Sequence, residues 1–190
     1  MDLITFSDVS KNKSGKQTLW NAAANGDNEA IEILVESGED VNECETLGYS
    51  ALMSAVFNGK VETVELLIEL GANVNQSTEY GLTALMVGAI VNSFPSVQCL
   101  IKNGANVNAR NCTGNSALLF ASEMGNAEIV KFLVDNDADV NITNDEGYTA
   151  LSNAVLGGHI ETAQQFLIGQ QQEQQQQEYH RKITNKNSLI

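Results

Sequence analysis

The chain has 190 residues, with 24 acidic against 10 basic side chains, a formal charge of −14 and 43% hydrophobic residues. So acidic a field repels phosphate backbones and anionic lipid surfaces, which argues against nucleic-acid and membrane partners and favours basic ones. No stretch approaches the roughly 18 consecutive apolar residues of a membrane span, and the opening MDLITFSDVSK lacks the basic and apolar regions of a secretory signal.

The charge is uneven. Three lysines against two aspartates precede Gln17, and three basic residues against one acid run from Glu178 onward, leaving about −17 on residues 17–177. Residues 1–14 place Leu3, Ile4, Phe6 and Val9 at a spacing suited to a short amphipathic lid, and are expected to cap whatever follows.

From there the chain repeats. Gly15, Gly48, Gly81, Gly114 and Gly147 stand 33 residues apart and open the blocks GKQTLWNAAANG, GYSALMSAVFNG, GLTALMVGAIVN, GNSALLFASEMG and GYTALSNAVLGG. Repetition at this period means one supersecondary unit copied and stacked, so the expected architecture is a solenoid with repeats at 15–47, 48–80, 81–113, 114–146 and 147–169.

Each block predicts a short first helix capped by the hydroxyl of Ser50, Thr83, Ser116 or Thr149, while Gln17 leaves the first copy without that cap. Small residues recur where helices must approach closely, at Ala22, Ala55, Gly88, Ala121 and Ala154. The first helix is expected to stop at Gly26, Gly59, Asn92, Gly125 and Gly158, residue types that tolerate the left-handed region.

A second helix follows, with apolar stripes at Ile31/Leu34/Val35, Val64/Leu67/Ile68, Val97/Leu100/Ile101, Val130/Leu133/Val134 and Ala163/Phe166/Leu167. Pro95 suits the start of the third of these helices, where its missing N–H costs nothing. Turn-rich connections then begin at Gly38, Gly71, Gly104 and Asp137. Residues 170–190 form a glutamine-rich tail, expected either to prolong the last helix or to stay solvated, with Tyr179, Ile183, Leu189 and Ile190 as its apolar positions.

Chemistry is not written in this sequence. No phosphate-binding loop, HExxH, nucleophile elbow or CxxC occurs, and the cysteines and two histidines lack metal-ligand spacing. No enzyme activity, cofactor or metal is therefore expected. Cys44 and Cys112 fall on loops and Cys99 on a buried helical stripe, so reduced thiols in an intracellular setting are expected rather than a disulfide framework.

The elements SALMSA, TALMVG, SALLFA and TALSNA, the mid-repeat glycines, and the closing segments Gly71 to Asn75 and Gly104 to Asn108 resemble the ankyrin repeat family over residues 15–168. The resemblance implies an all-α solenoid of stacked helix-turn-helix units with projecting β-hairpin loops. This chain departs from the family pattern in having no proline at the helix starts and Trp20, Met53, Met86, Leu119 and Ser152 at the usual histidine position. His159 occupies a place where the family often carries histidine, which implies a structural role. Closing asparagines Asn42, Asn75, Asn108 and Asn141 resemble those that can be hydroxylated in eukaryotic relatives, though bonding of the hairpin backbone accounts for them here.

Members of that family typically bind other proteins through hairpin tips and the exposed side of the first helices, lining a concave groove. Carried over by position, the partner-binding residues are Leu47, Tyr49, Phe57 and Asn58 in the second repeat and Tyr80, Leu82, Ile90 and Val91 in the third. The fourth contributes Thr113, Asn115, Glu123 and Met124, and the fifth Glu146, Tyr148, Leu156 and Gly157. Glu43, Glu45, Glu79, Asp145 and Glu146 would rim this surface with acid. The expected ligand is a protein segment with an apolar anchor and basic flanks, bound by a monomer. The expected function is a noncatalytic protein-protein interaction module, and the alternative is an inhibitor or secreted effector blocking a target's active site or basic surface. The expected location is the cytoplasm, or the interior of a host cell if the chain is a delivered bacterial effector.

Overall fold

The computed structural model describes residues 18–167. The expected capping segment 1–14 and glutamine-rich tail 170–190 lie outside the described residues. Helices alternate in length: α1 (Leu19–Asn25), α2 (Asn28–Glu36), α3 (Ala51–Phe57), α4 (Val61–Glu69), α5 (Ala84–Ile90), α6 (Phe94–Lys102), α7 (Ala117–Glu123), α8 (Ala127–Asp135) and α9 (Ala150–Leu156). Residues 160–167 are also helical. The seven-residue helices α1, α3, α5, α7 and α9 pack one on the next in a first layer, and each of α1, α3, α5 and α7 also packs on the nine-residue helix that follows it.

Position in these layers explains burial. Every residue of α3 from Ala51 to Val56 is buried, because neighbours of the same layer flank the helix and α4 backs it. The second helices bury one stripe only and turn acid outward, as Glu62, Glu65 and Glu69 do on α4. The small residues Ala22, Ala55, Gly88, Ala121 and Ala154 are all buried. At Gly88 a Cβ would lie 3.0 Å from the Val97 Cγ2 atom, so the helices there already touch.

The first-helix caps form as the hydroxyls dictate. Ser50, Thr83, Ser116 and Thr149 accept from the backbone N–H three residues on at 3.2, 3.3, 3.4 and 3.2 Å, each such cap contributing about 1 kcal/mol. The first copy corrects the sequence expectation: it is capped by Thr18, which accepts from the Asn21 N–H at 3.3 Å. Helix α1 simply starts one position later than its counterparts. At the other end, the stop position lies in the left-handed region in every copy, from φ 57° at Asn92 to φ 78° at Gly26.

In the second helices after α2 the buried stripe sits one residue earlier than hydropathy suggests. Thr63, Ser96, Ile129 and Thr162 are buried beside Val64, Val97, Val130 and Ala163, whereas Val134 and Leu167, expected on the stripe, are exposed. Cys99 is likewise only half-buried. Thr63 tolerates burial because its hydroxyl donates to Asn28 Oδ1 at 2.6 Å, and Ser96 because it pairs with the Ser93 hydroxyl at 2.8 Å.

The loops carry less β-structure than full hairpins would. Among the described residues they hold isolated antiparallel bridges, Cys44 with Ser50, Ser77 with Thr83 and Thr143 with Thr149, and no strand. What holds the loops is the next loop. Backbone N–H groups of Glu79, Cys112 and Asp145 donate to the carbonyls of Leu47, Tyr80 and Thr113 at 3.0, 2.9 and 3.1 Å.

A second ladder runs through the closing asparagines. Asn75 donates to the Gly104 carbonyl at 2.9 Å and accepts from the Asn106 N–H at 2.7 Å, and Asn42 and Asn108 bridge to Gly71/Asn73 and Asp137/Asp139 in the same way. Side chains on the helical side reach in the opposite direction along the stack. Asn126 donates to the Ala89 carbonyl at 2.8 Å, Ser54 to the Trp20 carbonyl at 3.3 Å, and His159 Nε2 lies 2.9 Å from the Glu123 carbonyl.

Candidate protein-binding surface

Two rows of side chains follow from this stacking. Loop tips supply one row, held in line by the backbone bonds between successive loops, and the C-terminal ends of the first helices supply the other. In the loop row Tyr80 is 53% and Tyr148 40% exposed, while Leu47, Tyr49 and Leu82 are half-buried. In the helix row Met124 is 44% and Leu156 70% exposed, Phe57, Ile90 and Val91 are half-buried, and Asn58 and Glu123 are exposed. Glu146 is exposed at the last loop tip.

None of the sixteen residues expected at this surface is fully buried, but several serve the fold too. Tyr49, Phe57 and Leu82 pack part of their surface against the core. Asn58 spends its carboxamide N–H on the Ser54 carbonyl at 2.8 Å, closing the end of α3. Leu47 holds a left-handed backbone, φ 67°, inside a short 3₁₀ turn at Thr46–Gly48, a conformation that costs a leucine of order 1–3 kcal/mol. Tyr49 and Tyr80 are brought close enough to sense each other: burial pushes the Tyr49 phenol up, and Tyr80 adds to the rise.

Acid lines the loop row. Glu43, Glu79, Asp145 and Glu146 are exposed on the loops and Glu45 is half-buried. Sequence reasoning missed the basic group set among them. Arg110 Nη2 donates to the Thr143 carbonyl at 2.7 Å and stands 3.9 Å from Asp145 Oδ1, while Nε donates to the Gly114 carbonyl at 3.1 Å. The signal was there, since Arg110 is the one basic residue in the loops that join successive repeats of an acid-rich stretch.

Val155 and Ile160 were also missed, at 61% and 74% exposed. Their exposure belongs to the end of the described stack, because the residues equivalent to Val155 one period apart, Ala23, Val56, Ala89 and Ser122, are all 0% exposed under a neighbouring copy. Part of the Leu156 exposure has the same origin.

Two overlapping stretches, residues 19–111 and 85–178, match the family model described as ankyrin repeats in three copies. This chain belongs to the ankyrin repeat family. No curated protein matches it. Ankyrin repeats are in general protein-protein interaction modules, typically without catalysis of their own. Among the described residues of this ankyrin chain no helix is long and apolar enough to cross a membrane, and no three His, Cys, Asp or Glu side chains group as metal ligands. Burial pushes the Cys44 and Cys99 thiols up, which lowers their thiolate fraction and their reactivity.

Proposed function

We propose that the chain is a noncatalytic interaction module that binds a partner polypeptide along the groove between its loop tips and first-helix ends. The binding residues are those of the two rows, Leu47, Tyr49, Phe57, Asn58, Tyr80, Leu82, Ile90, Val91, Glu123, Met124, Glu146, Tyr148 and Leu156. The partner segment has an apolar anchor and basic flanks. The single observation that carries this reading is the set of large side chains left open to water, Tyr80, Met124 and Tyr148, set among exposed carboxylates. Aromatic and methionine side chains are the types enriched in interface cores.

The repeat domain spans 15–169 and acts as a monomer, between the capping segment 1–14 and the tail 170–190. Three cysteines free of disulfides support work in a reducing compartment such as the cytoplasm, the chain's own or a host's.

The experiment compares wild type with Tyr80→Ala/Tyr148→Ala as bait for partners from the source cell. The double variant is expected to lose a captured partner by about tenfold or more, equivalent to about 1.4 kcal/mol, with its melting temperature close to wild type. Undiminished capture would sink the groove assignment. Phe57→Ala is a poorer probe, because part of that side chain packs on the core and stability would fall with binding. Stoichiometric loss of a captured target's activity would place the chain among inhibitors.

A further inference from the structure

The groove is not uniform along its length. The third copy, with the loop residue that leads into it, offers Tyr80, Leu82 and Ile90, and the fifth offers Tyr148 and Leu156, but the fourth and the loop residue that leads into it place Thr113, Asn115 and Glu123 between them. Its loop is polar and bonded within itself. Asn111 Oδ1 accepts from the N–H groups of Thr113 and Asn115 at 3.1 and 2.8 Å, and Asn115 both donates to Thr113 Oγ1 at 3.0 Å and accepts from Asn144 at 3.1 Å. No apolar anchor can be offered from that loop. On the helix row the same copy presents the exposed Glu123 carboxylate with Met124 beside it, a surface that suits the aliphatic stem and charged head of a lysine or arginine.

Spacing then constrains the ligand. Packed helices of the first layer stand about 8–10 Å apart, so successive copies present their groove residues at about that interval. A polyproline-II segment rises about 3.1 Å per residue with three residues per turn, so every third side chain returns to the same face after about 9.3 Å. A β-strand returns a side chain to one face every two residues, after about 6.6 Å, and falls out of step. Charge agrees with the geometry. Among the described residues, Arg110 is the one lysine or arginine of the loops between copies, with Nε and Nη2 engaged, and Lys60 is the one in the turns at the first-helix ends.

Resting on the groove reading above, we propose that the occupant is an extended, polyproline-II-like peptide with two apolar side chains six residues apart and a lysine or arginine midway. The apolar side chains seat on the third and fifth copies, and the cation faces Glu123. The pattern is symmetric, so either chain direction satisfies it.

The test uses the full chain and a fluorescein-labelled peptide with leucines at the first and seventh motif positions, arginine at the fourth and proline, serine and glutamine between, followed by fluorescence anisotropy. Moving one leucine by a single position is expected to weaken binding at least tenfold. Glu123→Lys is expected to weaken the arginine peptide at least tenfold and to bind a version carrying glutamate at the fourth position more tightly than wild type does. Glu123→Gln should fall between, and circular dichroism should show all variants folded. Equal binding by the shifted peptide, with both peptides lost on Tyr80→Ala/Tyr148→Ala, would overturn the spacing and leave the groove standing. Binding that ignores those tyrosines would overturn both, while no binding by any of the peptides would overturn the polyproline-II occupant and leave the groove to the capture experiment.

Discussion

Leu67→Ala is expected to destabilise the protein by about 2–5 kcal/mol. Leu67 is fully buried on α4, with Val64 and Thr63 beside it on the same stripe. Removing its side chain takes away transfer free energy and leaves a void that neighbouring copies can close only by shifting along the stack, which the loop bonds from Leu47 to Glu79 and from Tyr80 to Cys112 oppose. Urea denaturation followed by circular dichroism measures the loss. In a solenoid each copy touches only its neighbours, so a weak internal copy can also decouple the two sides and lower the denaturant slope. A loss below about 1 kcal/mol would mean that the stripe is not close-packed.

Gly81→Ala is expected to cost about as much through a different cause. Gly81 has φ 75°, where a residue with a Cβ is strained by about 1–3 kcal/mol, and that Cβ would lie 2.9 Å from the Asn111 Cα. The obstacle is backbone of the next loop, so relief requires parting two loops joined by the Cys112 N–H to Tyr80 carbonyl bond, an overpacking cost of about 1–3 kcal/mol more. A contrasting control is Gly147→Ala, with φ 84° but nothing within 4 Å of the added Cβ. It should suffer the backbone strain alone. Thermal melting of the pair checks this, and equal losses would remove the loop contact from the account.

Much of this architecture was legible because each determinant is local and repeated. A hydroxyl just before an apolar run marks a helix start, and Ser50, Thr83, Ser116 and Thr149 all act so. Strict periodicity misled at the first copy, where it pointed to Gln17 while the next residue, Thr18, carries the oxygen. Hydropathy misled on the second helices, since Thr63 and Ser96 read as surface residues yet are buried with hydrogen-bond partners supplied by Asn28 and Ser93. Those partners lie 35 and 3 residues away, and a hydropathy pattern registers neither.

The candidate surface was legible by position but not by degree. The period places Tyr80 and Met124 on loop and helix-end rows, while how far Phe57 and Tyr49 sink against the core depends on neighbours from other copies. The Arg110 bonds to Thr143 and Gly114, and the polar weave of Asn111, Thr113, Asn115 and Asn144, are likewise properties of adjoining loops rather than of any one block.

The closing asparagines reach onward by 29 and 31 residues, and the helix-side donors Ser54 and Asn126 reach backward by 34 and 37. Every partner they find is a main-chain group, carbonyl or N–H, which each copy supplies whatever its side chains. Excising or duplicating one whole block in a gene would therefore bring together termini that already fit, with Asn75 meeting the turn at Asp137 where it once met Gly104. A cut of any other length would shift donors off their carbonyls. Growth and shrinkage of such a chain are quantised by its hydrogen bonds, and the length of groove available to a ligand changes in the same steps.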